Sequence, residues 1–187
     1  MKRLLLLPIF YVLLTATVFA QESDDPVSFK KNYTGLAFRG GWGRSFGFVG
    51  DMELRYGRFI NPHWLVGAAV DFRSNTRFEQ QAFGAFARYY FNKKQKGFFV
   101  EASYKAGIAQ QQVVDSFTNQ VLDITSGSMY HTFIGAGYAM VNKKNFGLEL
   151  FAGWESTRYN LSHNLSGNST ISLDQGFTSG IRFQYKF

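Results

Sequence analysis

Apolar and polar residues alternate along most of the chain with a period of two. In the last stretch, GIRFQYKF, apolar side chains at Ile181, Phe183, Tyr185 and Phe187 are separated by charged or amide residues. Because successive side chains of a β-strand point to opposite faces, this alternation predicts strands with one apolar and one polar face. The eight predicted strands are Tyr33–Trp42, Asp51–Phe59, Trp64–Arg73, Ala82–Phe91, Phe98–Ala109, Met129–Val141, Phe146–Thr157 and Gly176–Phe187.

The connections between these segments alternate between short and long. Residues 61–63, 92–97 and 142–145 form short turns, and residues 43–50, 111–128 and 158–175 form longer polar stretches that we expect to be loops. Short turns on one side and long loops on the other are typical of an outer-membrane barrel, whose termini share the short-turn side. The predicted fold is therefore an all-β, eight-stranded antiparallel transmembrane up-and-down β-barrel, with both mature termini in the periplasm.

One face of the predicted strands is rich in aromatic and aliphatic side chains, and the other carries the charges and most of the strand glycines. An eight-stranded barrel has an interior just wide enough for side chains to fill. Since the apolar face holds more than a dozen aromatic rings, turning it inward would overfill the barrel. We expect it to face lipid. A secreted lipocalin-like binder, suggested by GGWGR at Gly40–Arg44, is disfavoured for this reason.

Charges on the inward face need partners or water. We expect Arg88 to lie opposite Glu101 across the turn at 92–97, with a bidentate guanidinium, and Arg39 to lie opposite Glu53 in the same way. Such pairs would close the lumen to anything larger than water. The predicted lumen charge network comprises Arg39, Glu53, Arg55, Arg88, Glu101, Lys105, Glu149 and Arg182, with Asp71, Arg73, Glu155 and Lys186 on the same face.

The N-terminal segment has a different pattern from the rest of the chain. A basic start is followed by a mostly apolar run and by Val18-Phe19-Ala20, which predicts a secretory signal peptide cleaved between Ala20 and Gln21. An anchor helix is disfavoured because Pro8 interrupts a run already short of about 20 apolar residues. We therefore expect a signal peptide at 1–20 and one barrel domain at 21–187. The chain contains no cysteine, so we expect neither disulfides nor lipid attachment.

Several local motifs resemble those of a known family. Arg88-Tyr89-Tyr90-Phe91, a turn and Phe99-Val100-Glu101 follow one another in the predicted hairpin at 83–107, and the turn at 61–64 reads NPHW. They resemble the small Bacteroidota-type outer-membrane β-barrel proteins, which share the OmpA/OmpX-like eight-stranded architecture. The resemblance implies a Gram-negative outer membrane containing lipopolysaccharide. Phe183, Tyr185 and Phe187 also resemble the C-terminal signal read by the barrel-assembly machinery.

Candidate chemistry is sparse. Aromatic residues make up 18% of the chain, with 19 glycines and a net charge of +7. His131, His163 and the stretch Ser162–Asn168 are the candidates for an outer-membrane lipid enzyme, but their spacing does not place His and Ser in a hydrolase motif. We expect no catalytic residue, cofactor or metal site. Lysine pairs lie in turns or before the first strand without an aromatic platform, so we expect no nucleic-acid partner.

The resulting prediction is a monomeric, non-enzymatic outer-membrane barrel with a closed lumen. It would serve as a structural or surface-interaction scaffold, with the long loops at 111–128 and 158–175 meeting an unknown extracellular partner. The alternatives are a small-solute pore and, further from the pattern, a lipid A-modifying enzyme.

Overall fold

The computed structural model describes residues 30–43, 47–75, 78–114, 121–163 and 169–187. They form eight strands that pair antiparallel in chain order and close into one barrel, with β1 paired to both β2 and β8. The strands are β1 Asn32–Gly43, β2 Gly47–Phe59, β3 Trp64–Asn75, β4 Phe78–Tyr90, β5 Gly97–Val114, β6 Val121–Val141, β7 Phe146–His163 and β8 Ser169–Lys186. The predicted eight-stranded up-and-down barrel is confirmed. No helix in these ranges is long and apolar enough to cross a membrane. The predicted cleavage site between Ala20 and Gln21 lies outside the described residues.

The three short turns lie where the sequence predicts them, and each begins with an asparagine. The Oδ1 atoms of Asn61, Asn92 and Asn142 each accept the backbone N–H of the second residue further on, at 2.9, 2.8 and 2.9 Å. Such Asx turns reverse the chain within a few residues. Gln95 and Asn145 complete two of the turns with positive φ angles of 56° and 64°.

At the opposite end the strands run further than predicted. The largest additions to the strands are residues 47–50, 78–81, 110–114, 121–128, 158–163 and 169–175. The predicted loops at 43–50, 111–128 and 158–175 are therefore wrong, because most of these residues are paired strand. Here the outward positions of the strands are mostly polar or small, so the alternation that marks a strand in the sequence fades.

Four strands thus rise above the rest of the barrel rim. We call this part, residues 110–114, 121–128, 158–163 and 169–177, the protruding sheet. The pairing of β8 with β1 ends where Thr178 lies opposite Gly41. Above that point, Ser169–Phe177 pairs with β7 and with no other described strand. This stretch, about 30 Å long at strand rise, is the open edge of the sheet.

The two faces of the wall are sorted as the parity of the sequence predicts. Phe83, Ile134 and Phe183 point outward and are exposed, whereas Arg88 and Lys105 point inward and are buried. The outer wall is an apolar belt around a polar interior, the reverse of a water-soluble barrel. The side chain of Trp42, predicted on the outer face, lies outside the described residues.

The inward positions also hold aromatic rings, which the volume argument counted only on the outer face. Within the described ranges, the buried aromatic residues are Tyr33, Phe59, Phe78, Phe86, Tyr90, Phe99, Phe133, Phe151 and Tyr159. They fit because glycines on neighbouring strands leave room for them. A methyl group at Gly180 would lie 2.8 Å from Phe151 Cζ, and one at Gly153 would lie 2.8 Å from Phe133 Cε2. The inward glycines therefore make space for specific rings.

Candidate functional site

The turn-side half of the lumen is organised around Arg88. The β4–β5 register places Arg88 directly opposite Glu101. Arg88 Nε and Nη2 both donate to Glu101 Oε2, at 2.9 and 2.6 Å. Arg88 therefore faces Glu101 with two donors, as predicted, but both bind the same oxygen, and the other oxygen, Oε1, lies 2.6 Å from Arg55 Nη1. The third guanidinium nitrogen of Arg88, Nη1, donates to Glu149 Oε1. One arginine on β4 thus binds carboxylates on both β5 and β7.

Arg182 connects the same carboxylates from β8. Its Nη1 donates to Glu149 Oε2 at 2.6 Å and approaches Glu101 Oε2 at 3.3 Å, while its Nη2 lies 3.5 Å from Glu53 Oε1. Arg55 binds Glu53, and its Nη1 lies 2.6 Å from Glu101 Oε1. Three guanidinium groups therefore surround Glu101.

Arg39 and Lys105 organise the other half. The expected register of Arg39 with Glu53 is wrong, since Arg39 lies opposite Asp51, and Glu53 lies opposite Ala37. Arg39 Nη2 lies 2.8 Å from Asp51 and 2.6 Å from Asp71, with Glu53 further away at 3.6 Å. Lys105 Nζ donates to Glu53 Oε2 at 2.6 Å and to Asp71 Oδ2 at 2.8 Å.

Arg73 extends the network toward the rim, where its Nη2 lies 3.1 Å from Asp51 and 3.2 Å from Glu155. Among the described residues, the ion pairs join six cations and six anions; they are Arg39, Arg55, Arg73, Arg88, Lys105 and Arg182 with Asp51, Glu53, Asp71, Glu101, Glu149 and Glu155. All eight residues of the predicted network are among them. Sequence reasoning missed Asp51, which has inward parity but stood at the start of a predicted strand.

Aromatic rings flank the arginines and hold their guanidinium planes. The guanidinium carbon of Arg88 lies 4.1 Å from the ring centre of Phe99, that of Arg182 lies 4.4 Å from Phe151, and that of Arg55 lies 4.6 Å from Phe86. A guanidinium can stack on a ring while its edge donates to carboxylates. The buried rings therefore fix the donors that the carboxylates require.

Buried residues also lie toward both ends of the described lumen. Toward the turns, Gln95 is buried and its Nε2 donates to the backbone oxygen of Lys30 at 2.8 Å. Lys186 donates to the backbone oxygen of Gln95, so it does not join the ion-pair network despite its inward parity. Toward the rim, a second apolar cluster covers the charges; it comprises Phe78, Ala82, Ala109, Met129, Tyr159 and Leu161.

Of the candidates for a lipid enzyme, the structure describes the side chains of His131 and Ser162. His131 is fully buried, and its Nδ1 lies 2.9 Å from Thr157 Oγ1. His63 Nδ1 lies 2.7 Å from the backbone oxygen of Tyr90 in a turn. Among the residues the structure describes, no group of three His, Cys, Asp or Glu side chains could hold a metal ion. The side chain of His163 and residues 164–168 lie outside them.

The proposed assembly-signal residues lie on the last strand at the turn side. Phe183 and Phe187 are exposed on the outer wall, and the ring of Tyr185 lies 4.5 Å from that of Phe146. Asn32 and Phe187 exchange both backbone hydrogen bonds, at 2.8 and 3.1 Å. The end of the described chain therefore completes the seam that closes the barrel.

The geometry defines a closed eight-stranded antiparallel barrel, apolar outside and charged inside, that carries a protruding sheet. No protein-family model and no curated protein matches the chain. Among solved structures, it is similar to Neisserial surface protein A, with 17% identity, a TM-score of 0.49, and coverage of 83% of this chain and 96% of that one.

The N-terminal β-barrel domain of Pseudomonas aeruginosa OprF is similar with 14% identity, a TM-score of 0.47, and coverage of 84% and 100%. A major outer membrane protein from Thermus thermophilus follows with 10% identity, a TM-score of 0.47, and coverage of 82% and 99%. Such likenesses carry no functional inference, and the Bacteroidota-type assignment stays a prediction.

Proposed function

We propose that the protein is an integral outer-membrane barrel with a non-conducting lumen, acting as a surface-interaction scaffold. The distribution of side chains supports the membrane setting. Outward apolar residues such as Leu54, Tyr104 and Ile134 are exposed, while charges are buried in the lumen. In water this arrangement would expose a large apolar surface, whereas in a bilayer a closed barrel satisfies every backbone group.

We place the short turns and both mature termini in the periplasm, and the protruding sheet outside the cell. In this orientation the signal peptide would be cleaved after Ala20. The barrel-assembly machinery would then recognise Phe183, Tyr185 and Phe187. Lipopolysaccharide would then surround the outer half of the belt, and the closed barrel would function as a monomer.

The single observation that carries the scaffold role is the open edge of β8. Phe187 donates its N–H to β1, and Lys186 donates its N–H to Asn145 on the opposite side, at 3.1 Å. Because these directions alternate along a strand, the N–H groups of 171, 173, 175 and 177 point to the open edge. Unpaired edges pair with extended segments of other proteins. The partner we propose is such a segment, in place of the predicted loop-mediated contact.

Amide hydrogen exchange tests this arrangement at single-residue level. In the barrel refolded in lipid, the amides of 171, 173, 175 and 177 should exchange quickly. Those of 172, 174 and 176, which point to β7, should be protected. The protected residues serve as the internal control, because they share the same strand. Equal protection of both sets would mean that the edge is already covered and would remove the basis for the scaffold role.

Cell fractionation tests the location. The mature protein should begin at Gln21, sediment with the outer membrane and show heat-modifiable mobility on gels. Recovery of folded protein in the periplasm or medium would contradict the membrane setting.

The closed lumen disfavours the alternatives. Transport would require an opening through the ion-pair network, whose charged side chains are buried. A lipid-modifying enzyme built on His131 would require access to a side chain that is fully buried.

A further inference from the structure

The short-turn end of the barrel collects positive charge. Eight cations lie at this end, in the segment before β1, at the end of β2 and in two of the turns. They are Lys30, Lys31, Arg58, Lys93, Lys94, Lys96, Lys143 and Lys144. No Asp or Glu occurs at 30–32, 58–64, 91–98 or 141–146. We call these eight residues the basic ring. In the sequence they appear as separate pairs in solvated turns, and only the topology brings them together.

Backbone hydrogen bonds place the parts of the basic ring side by side around the mouth. Phe59 N–H donates to Lys31 O at 2.8 Å, beside the end of β2, and Lys186 N–H donates to Asn145 O at 3.1 Å. Gln95, in the turn between β4 and β5, binds the backbone of Lys30. Gln95 is buried, whereas Lys31, Lys93, Lys143 and Lys144 are exposed at this end.

An aromatic girdle on the outer wall lies immediately next to the basic ring. It contains close ring pairs, with centroids 5.2 Å apart for Trp64 and Tyr89, and 5.0 Å apart for Phe98 and Tyr138. Aromatic girdles of this kind lie at the level of the lipid headgroups. Cations one to four residues beyond the girdle are therefore at the level of the phosphates.

The other end lacks this bias. In the described part of the protruding sheet and the rim around it, the exposed or half-buried charges are Glu79, Asp123, Glu155 and Arg158, of mixed sign. The concentration of positive charge at the turn end is thus a directional feature of the molecule.

We propose that the basic ring binds anionic phospholipid headgroups, such as phosphatidylglycerol, in the leaflet that surrounds the short turns. This inference rests on the proposed membrane setting. Lysines next to an anionic leaflet gain electrostatic attraction that falls off within a Debye length. Several of them around one mouth would enrich anionic lipid at that end and fix the depth of the barrel in the bilayer.

Spin-labelled lipids measure this enrichment directly. The full mature chain is refolded into phosphatidylcholine vesicles that contain a trace of spin-labelled phosphatidylglycerol or spin-labelled phosphatidylcholine, and the motionally restricted fraction gives the relative association. The wild type should associate with phosphatidylglycerol several-fold more strongly than with phosphatidylcholine. The ratio should fall toward one when Lys31→Gln, Lys93→Gln, Lys143→Gln and Lys144→Gln are combined, since all four side chains are exposed.

Two variants are matched controls. Replacing the same four lysines by Arg keeps the charge and should keep the selectivity, and Arg158→Gln removes a charge at the other end and should leave it unchanged. Unchanged selectivity in the fourfold Gln variant would overturn the proposal. Insertion of the wild type without selectivity would overturn it while leaving the membrane setting intact, whereas failure to insert at all would count against the proposed function itself.

Discussion

Glu101 shows how much of the lumen depends on one carboxylate. Its oxygens lie 2.6 Å from Arg88, 2.6 Å from Arg55 and 3.3 Å from Arg182, and all four side chains are buried. Water cannot readily replace the lost partner at such a site. Removing one member of a buried ion network leaves uncompensated charge, which costs about 3–5 kcal/mol.

We therefore expect Glu101→Ala to lower the free energy of unfolding by about this amount. Urea unfolding of the barrel in lipid vesicles, followed by tryptophan fluorescence, measures the change. Glu79→Ala is the matched control, because Glu79 is exposed at the rim and its loss should cost no more than about 0.5 kcal/mol. Similar losses in the two variants would show that the network contributes little to stability.

At the residue scale, parity alone separated the inward charges from the outward apolar side chains. It could not supply the partners of Arg39, because a register depends on where the hairpin reverses. β1 and β2 stay paired up to Gly43 and Gly47, so the connection between them is shorter than the loop predicted at 43–50. Parity also places rings such as Phe151 inward, but the volume argument counted aromatic residues only on the outer face. Only the space beside Gly180 shows why this ring fits inside.

The outer wall allows a matched test at the scale of the strand. Ile134 on β6 and Ile171 on β8 are both exposed, at 71% and 61%. Ile134 lies in the apolar belt, whereas Ile171 lies on the protruding sheet. In the proposed setting, arginine on the lipid face costs about 2–4 kcal/mol near the bilayer midplane and little beyond the interface.

Ile134→Arg should therefore reduce the folded yield in vesicles and the free energy of unfolding far more than Ile171→Arg. Heat-modifiable mobility gives the first quantity and urea unfolding the second. If both variants fold equally well, the belt does not face hydrocarbon.

The open edge gives a second prediction at this scale. Leu173→Pro removes an N–H that points away from β7, so the β7–β8 ladder should survive. Ser172→Pro removes an N–H that points to β7 and should destabilise the barrel by about 1 kcal/mol or more. Urea unfolding distinguishes the two. A larger loss for Leu173→Pro would mean that the hydrogen-bond directions are assigned to the wrong residues.

The strand ends at the short turns were predictable, because asparagines mark the reversals and aromatic residues mark the girdle beside them. The opposite ends were not. In 121–128 the chain reads VLDITSGS, where the outward positions change from Leu122 and Ile124 to Ser126 and Ser128, so the apolar outer face found lower in β6 is interrupted. A strand that is paired on both sides does not need an apolar outer face. Its length is set by hydrogen-bonded pairing with its neighbours, which its own sequence does not show.

For the whole molecule, the prediction is that no stable channel forms. Ion pairs cross the lumen between β4 and β7 and between β3 and β7, and their side chains are mostly buried. Purified wild-type protein in planar bilayers should give no reproducible single-channel steps. Regular conductance steps that persist after repeated purification would favour the small-solute pore instead.

The ion pairs that cross the lumen also constrain the order of assembly. Glu149 on β7 meets Arg88 on β4, and Arg182 on β8 meets Glu53 on β2. An open sheet lacking its last strand would leave three carboxylates without Arg182, in surroundings where unpaired charge is costly. A partly assembled barrel is therefore unstable. Insertion and closure should occur as one cooperative event, completed only when the seam between Asn32 and Phe187 forms.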